Sequence, residues 1–184
     1  MEIISINELN KIQKEQLRNK IIVFHTDTVY GVGALYDDEV GIEKIYEMKK
    51  RSQSKKIPIL CGNINQVEKL THFNQNAVNL SKHWPGALTM ILNKKNSDDT
   101  LAVRIPNSEI ALKVLNYFGP LATTSVNISG EKEVNTVKEI IEKFSEHIDY
   151  IVSEELPLSE TPSTIVDLTT NEIKILRQGS IIIP

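Results

Sequence analysis

His25-Thr26-Asp27-Thr28-Val29-Tyr30-Gly31-Val32-Gly33 follows directly on Ile21-Ile22-Val23-Phe24. The four-residue apolar run suits a buried strand, and it opens into a segment rich in hydroxyls and glycine. Sheets of the α/β class place ligands where a buried strand runs into a polar loop. Thr26, Thr28 and Tyr30 offer hydroxyls there, while Gly31 and Gly33 allow close backbone approach. The glycine pair lacks the third glycine of a dinucleotide fingerprint, and the chain carries no Walker A pattern, so a Rossmann or P-loop site is not expected. The bland alternative for the same segment is a tight turn with satisfied hydroxyls.

Working outward, residues 3–4 read as a short first strand and residues 7–18 as a polar, helix-favouring surface segment. Asp37 or Asp38 caps a helix running to about Lys50, with Ile42, Ile45 and Tyr46 at helical spacing. Residues 57–61 read as a strand, and a helix over 76–83 breaks at Trp84-Pro85-Gly86. Strands over 88–92 and 101–105 flank a polar loop at 93–100. Ser108 caps a helix whose Ile110, Val114 and Phe118 share one face, ended by Gly119-Pro120. A strand at 121–124 runs into Ser125-Val126-Asn127, and Val137, Ile140, Ile141 and Phe144 mark a further amphipathic helix. Strands at 150–152, 164–168 and 173–176 complete the set. Strands and helices alternate along the chain, so the expected class is α/β, as one domain over residues 1–184.

The chain has 184 residues, enough to bury a core, and a formal net charge of -3, which gives no support to a bulk electrostatic attraction for nucleic acid. One cysteine, Cys61, can form neither an internal disulfide nor a multi-cysteine zinc site. His25, His72, His83 and His147 show no metal-ligand spacing, so no protein metal site is expected. The N-terminus lacks the basic start and apolar core of a signal peptide, and no apolar run nears the ~18 residues of a membrane span. The expected compartment is the cytoplasm, with no membrane partner.

Several residues carry chemistry. Lys49, Lys50, Arg51, Lys55 and Lys56 put five cations within eight residues. Such a cluster suits polyphosphate, or else forms a solvated helix end. Arg104 lies inside the apolar stretch Leu101-Ala102-Val103-Arg104-Ile105, so it must be paired or face a cleft. It is either half of a structural salt bridge or a site for a substrate carboxylate. Hydroxyls and an amide recur at strand ends in Thr123-Thr124-Ser125-Val126-Asn127 and Pro162-Ser163-Thr164, and Arg177-Gln178-Gly179 follows another strand. One cleft can collect all of them. No Ser-His-Asp arrangement is present, so the implied chemistry is electrostatic and positional: cations and hydroxyls orient a nucleotide and an amino acid, with Mg2+.

In this order, residues 25–33, Lys-Lys-Arg at 49–51, Trp-Pro-Gly-Ala-Leu-Thr at 84–89, Leu-Ala-Val-Arg-Ile-Pro at 101–106, Thr-Ser-Val-Asn-Ile-Ser-Gly at 124–130, Pro-Ser-Thr-Ile-Val-Asp at 162–167 and Leu-Arg-Gln-Gly at 176–179 resemble the YrdC family of threonylcarbamoyl-AMP synthases. The resemblance implies a twisted mixed sheet with flanking helices around a concave cleft. It implies that threonine nitrogen is carboxylated with bicarbonate and that the product attacks the ATP α-phosphate, releasing pyrophosphate. Threonylcarbamoyl-AMP would pass to a separate transferase complex that modifies tRNA, with weak or transient tRNA binding. By the same resemblance Thr28, Arg104, Thr123 and Ser163 hold threonine. Lys49, Arg51, Lys55, Thr100, Ser125, Asn127 and Arg177 surround ATP as substrate, with Lys49 and Arg51 in the catalytic role. The chain departs from the family at His25-Thr26, where most members have Pro-Thr, and at Arg51-Ser52, where most have Arg-Pro. Near Leu60 it lacks the histidine of long members. It ends soon after Gly179 and so resembles the single-domain form. Two other functions fit parts of the pattern: an RNA-binding module without chemistry, recognising tRNA or double-stranded RNA, and a paralogue that makes another carbamoyl-type adenylate.

Overall fold

The computed structural model describes residues 1–154, 156–159 and 161–183. Its spine is one ten-stranded mixed sheet. The strands are β1 (Glu2–Ile4), β2 (Ile22–His25), β3 (Tyr30–Leu35), β4 (Ile59–Leu60), β5 (Leu88–Asn93), β6 (Thr100–Arg104), β7 (Leu121–Ser125), β8 (Tyr150–Val152), β9 (Thr164–Asp167) and β10 (Lys174–Arg177), in the spatial order β1-β8-β2-β3-β7-β4-β6-β5-β9-β10. Among the described residues five α-helices accompany it: α1 (Glu39–Lys49), α2 (Ile64–Leu70), α3 (Gln75–Leu80), α4 (Glu109–Phe118) and α5 (Val137–Phe144).

The strand β2 shows why the sheet is covered on both faces. Successive side chains on a strand point to opposite sides. Ile21 and Val23 accordingly join one apolar cluster, with Ile45, Met48, Ile140 and Phe144, while Ile22 and Phe24 join the other, with Ile110, Val114 and Phe118. All four residues of the run are fully buried. Each such side chain contributes about 1.5–3 kcal/mol.

The helix starts follow their caps. Asp38 accepts from the Gly41 backbone N–H, and Ser108 from that of Ala111. Lys50 closes α1 in the left-handed conformation, at φ 49° and ψ 42°, so the chain turns sharply after Lys49. That turn sets the direction of the whole basic stretch.

Three expectations change. Residues 30–35 are not loop: β3 pairs antiparallel with β2 and leaves only residues 26–29 as the turn. Hairpins also join β5 to β6 and β9 to β10, so strand and helix do not alternate without a break, while the sheet is mixed as the family resemblance implied. Residues 6–17 form two short 3-10 segments instead of a surface helix, because Leu9, Ile12 and Leu17 turn inward. The helix α2 was not expected at all. Asn63 caps it, accepting from Gln66 N–H, and Val67 anchors it.

Candidate active site

A cavity of about 420 Å3 opens on the sheet where β3, β6, β7 and the start of β9 meet. Its wall includes Thr26, Thr28, Gly31, Arg51, Lys56, Thr89, Arg104, Thr123, Ser125, Glu133, Ser163 and Arg177. A larger, shallower groove of about 700 Å3 lies between the N-terminal segment and α4. It contains Asn7, Asn10, Asn116 and Tyr117 and none of the expected site residues. Chemistry, not size, selects the smaller cavity.

The hairpin turn is built by its own hydroxyl. Thr26 Oγ1 donates to the Val29 carbonyl at 2.6 Å and accepts from the backbone N–H groups of Thr28 and Val29. That fixes Thr28 beneath the cavity. The register of β3 against β7 sets Gly31 opposite Ser125 and Gly33 opposite Thr123. A Cβ at Gly31 would come within 2.8 Å of Thr123 Cγ2, and one at Gly33 within 2.9 Å of Thr123 Oγ1. Both glycines therefore make room for Thr123, which stands in the cavity wall.

Arg104 is paired within the protein and also faces the cleft. The guanidinium forms an ion pair with Asp27, donates from Nε to the Gly86 carbonyl at 3.0 Å and from Nη1 to Thr28 Oγ1 at 3.4 Å. It also lines the cavity. On the opposite wall, Arg177 donates from Nε to the Ser163 carbonyl at 3.0 Å and from Nη2 to Ser163 Oγ at 3.1 Å. Ser163 Oγ also meets Thr89 Oγ1 at 2.9 Å. Partial burial, then the nearby Arg104 charge, holds the Arg177 guanidinium below the usual arginine value. Gly179 lets the segment after β10 lie against this wall, since a Cβ there would sit 2.2 Å from the Pro162 carbonyl oxygen.

The basic stretch divides. Arg51 and Lys56 reach the cavity wall. Arg51 is braced by the carbonyls of Lys55 and Lys56, and Lys56 pairs with Asp99. Lys49 turns the other way and is 1% exposed. Its amine donates to the Ser125 carbonyl at 2.5 Å, the Asn127 carbonyl at 3.1 Å and Asn127 Oδ1 at 2.7 Å. Those bonds use all three ammonium protons. Burial pulls the Lys49 amine down to about 8, Arg51 adds to the fall, and Glu133 opposes it. Asn127 completes the knot by accepting from Ser125 Oγ and donating to the carbonyls of Ile128 and Glu131.

Of the expected site residues, the cavity wall unites Thr28, Arg51, Arg104, Thr123, Ser125, Ser163 and Arg177. Four stand outside it. Lys49 and Asn127 lie behind it, holding the loop after β7. Lys55 points to solvent, and only its carbonyl is engaged near the wall. Thr100 begins β6 at the half-exposed outer end of the β5–β6 hairpin. In this structure the three Lys49 ammonium protons go to buried acceptors, and past the turn at Lys50 it is Lys56 rather than Lys55 that lines the cavity. Sequence reasoning also passed over Asp27, Thr89 and Glu133. The need of a strand-buried arginine for a counter-charge pointed to Asp27. Glu133 had no such signal.

His25, where most family members have proline, is buried; its Nε2 lies 2.8 Å from the Leu156 carbonyl. Burial holds its imidazole below the usual histidine value, with that bond and Asp27 opposing. Among the described residues no cluster of three or more His, Cys, Asp or Glu side chains can hold a metal, and no helix is long and apolar enough to cross a membrane.

Comparison with known proteins is consistent with this geometry. The Sua5/YciO/YrdC family model, described as telomere recombination, matches residues 15–179. A putative threonylcarbamoyl-AMP synthase of Methanocaldococcus jannaschii is 34% identical, across 98% of this chain and 94% of that protein. The threonylcarbamoyl-AMP synthase of Pyrococcus abyssi is 32% identical, across 97% of this chain but 58% of its own length. The crystal structure of P. abyssi Sua5 complexed with L-threonine superposes with a TM-score of 0.86, at 32% identity over 97% of this chain and 58% of that one. E. coli YciO, at 22% identity, covers 95% of this chain and 87% of its own with a TM-score of 0.79, and shares the fold. The chain belongs to the Sua5/YciO/YrdC family.

Proposed function

We propose that the cavity binds L-threonine and ATP and joins them, with bicarbonate, into threonylcarbamoyl-AMP, releasing pyrophosphate. One observation carries this reading: a single cavity has a buried hydroxyl and arginine set at its base and, at its rim, cations held only by backbone carbonyls and one exposed aspartate. Thr28, Arg104, Thr123 and Ser163 are each 7% exposed or less, while Arg51 and Lys56 stand towards solvent. The base suits a small amino acid with a carboxylate and a hydroxyl, and the rim suits a polyphosphate. The co-crystallised L-threonine of P. abyssi Sua5 and the names of the relatives support the same assignment.

In this scheme Arg104 receives the threonine carboxylate, sharing its guanidinium with Asp27, while Thr28, Thr123 and Ser163 take the hydroxyl and amine. The threonine nitrogen adds to bicarbonate carbon and water leaves, giving the carbamate. A carbamate oxygen attacks the ATP α-phosphorus, and the bond to the β-phosphate bridging oxygen breaks. Arg51, Lys56 and Arg177 offset the negative charge on the phosphates and on departing pyrophosphate. Ser125 presents its hydroxyl beside them. Lys49 and Asn127 hold the Ser125 loop in shape rather than touching phosphate. Mg2+ fits this setting: it keeps several waters and uses one or two carboxylates with substrate phosphates, and among the described residues the rim offers the carboxylate of Glu133 and several hydroxyls. When bound it would supply charge neutralisation at the phosphates. The product would pass to a separate tRNA-modifying transferase in the cytoplasm, with the work done by one domain spanning residues 1–184.

Calorimetry with amino acids tests the substrate. L-threonine should bind, and L-serine should bind about 10–200-fold more weakly, because the pocket loses one methyl contact. Equal affinity for both would remove the threonine assignment.

A further inference from the structure

Residues 84–89 take no part in the reaction scheme, yet both sides of the cavity base rest on them. Trp84 stacks on Phe73, with ring centroids 6.3 Å apart, and its Nε1 donates to the Leu88 carbonyl at 2.6 Å. Gly86 N–H donates to the Ile105 carbonyl at 2.8 Å, and the Gly86 carbonyl accepts from Arg104 Nε. From there β5 runs beside β9, with Leu88 opposite Thr164 and Thr89 opposite Ile165. Side chains alternate along the strand. Leu88, Met90 and Leu92 enter the core, while Thr89 and Ile91 turn to the cavity, where Ile165 of β9 joins them. Thr89 is thus a polar residue on an otherwise apolar strip, and it is 5% exposed.

Its hydroxyl meets Ser163 Oγ at 2.9 Å, and Ser163 Oγ also accepts from Arg177 Nη2 at 3.1 Å. Among the described residues these are the partners of both hydroxyls. A hydroxyl has one proton and two acceptor places, and a guanidinium can only donate. If Ser163 donated to Thr89, its proton would be spent inside the protein, and towards a ligand it could only accept. Two guanidiniums, Arg104 and Arg177, stand in the same wall and draw the oxygens of a ligand rather than its ammonium. A donor is what the wall needs at Ser163.

We infer that Thr89 is a positioning residue: it donates its hydroxyl proton to Ser163 Oγ and so leaves Ser163 able only to donate, to an oxygen of the bound amino acid. With Arg177 and Thr89 filling both acceptor places, the remaining Ser163 proton points to the ligand. This deepens the reading of the cavity base as the L-threonine site and rests on it. Thr89 acts through Ser163 and takes no part in bond making or breaking.

The test is a double-mutant cycle on L-threonine binding, read by titration calorimetry on the wild type, Thr89→Val, Ser163→Ala and the double variant. Valine keeps the shape of threonine and lacks the hydroxyl, and Thr89→Ala repeats the measurement if the valine variant does not fold. Each single variant should bind L-threonine about tenfold more weakly. In the Ser163→Ala background Thr89→Val should cost less than about twofold, because the group it acts through has gone. Thr89→Ser should stay within about threefold of the wild type. In steady state Thr89→Val should raise the KM for L-threonine and leave that for ATP level, a split that general loosening of the fold would not give. Full threonine affinity in Thr89→Val or in Ser163→Ala would overturn the inference, and so would an equal loss from Thr89→Val in both backgrounds. In each of those cases threonine binding by the wild type leaves the substrate reading standing. A wild type that does not bind L-threonine would remove both.

Discussion

The base of the cavity and its rim use the same kinds of residue in opposite ways. At the base, Arg104 is tied to Asp27, Gly86 and Thr28, and Ser163 is tied to Thr89 and Arg177. Those polar groups are satisfied before a ligand arrives and are held in fixed positions. At the rim, Arg51 and Lys56 are held loosely, by backbone carbonyls and one exposed ion pair. Lys49 is close to Arg51 in sequence yet belongs with the base in character. A small ligand recognised by shape needs a rigid pocket, because ordering it at the moment of binding would cost affinity. A polyphosphate needs charge and reach more than fixed geometry. Position in the basic stretch therefore says less about a lysine's role than where its protons already go.

The largest effect that sharpens this contrast is expected at Lys49. Lys49→Ala opens a cavity and leaves the carbonyls of Ser125 and Asn127 without their donor, at a cost of about 3 kcal/mol or more. Thermal denaturation should show a clear fall in Tm, and turnover should drop by at least about tenfold as the Ser125 loop loosens. L-threonine binding should change little. An unchanged Tm would show that the buried knot is not structural.

Next is Arg104. Arg104→Lys keeps the charge but cannot make the forked contacts to Asp27, Gly86 and an incoming carboxylate together. Calorimetry should record at least about a tenfold loss of L-threonine affinity, worth ~1.4 kcal/mol, with the fold retained. Normal threonine affinity would confine Arg104 to its salt bridge with Asp27.

A smaller effect belongs to the rim. Arg51→Ala should slow turnover about tenfold through one lost charge-assisted contact and leave Tm unchanged. Lys50→Ala should be neutral in both, because Lys50 is exposed and lies outside the cavity wall. Steady-state kinetics on both variants decide this, and a reversed order would mean that the turn after Lys49 points the basic stretch elsewhere.

Much of the scaffold was legible because local signals were strong. The run ending at Phe24, the caps Asp38 and Ser108, and the helical spacing through Phe118 and Phe144 all lead to elements in the structure. The strand β3 was hidden because Tyr30, Gly31 and Gly33 look like loop chemistry, and the glycines owe their presence to Thr123 on a neighbouring strand. That partner lies ninety residues away and leaves no local trace. Among the residues of the cavity wall, strand-end hydroxyls and Arg104 were readable because a polar group at the end of a buried strand needs an explanation. The inward turn of Lys49 and the choice of Lys56 over Lys55 depend on a left-handed Lys50, which no side-chain pattern announces.

The central claim is that base and rim act on one reaction, and exchange of radiolabelled pyrophosphate into ATP tests it most directly. With Mg2+ present, exchange should require L-threonine and bicarbonate together and should vanish when either is omitted. Exchange that proceeds without L-threonine, or that L-serine supports equally well, would contradict the account.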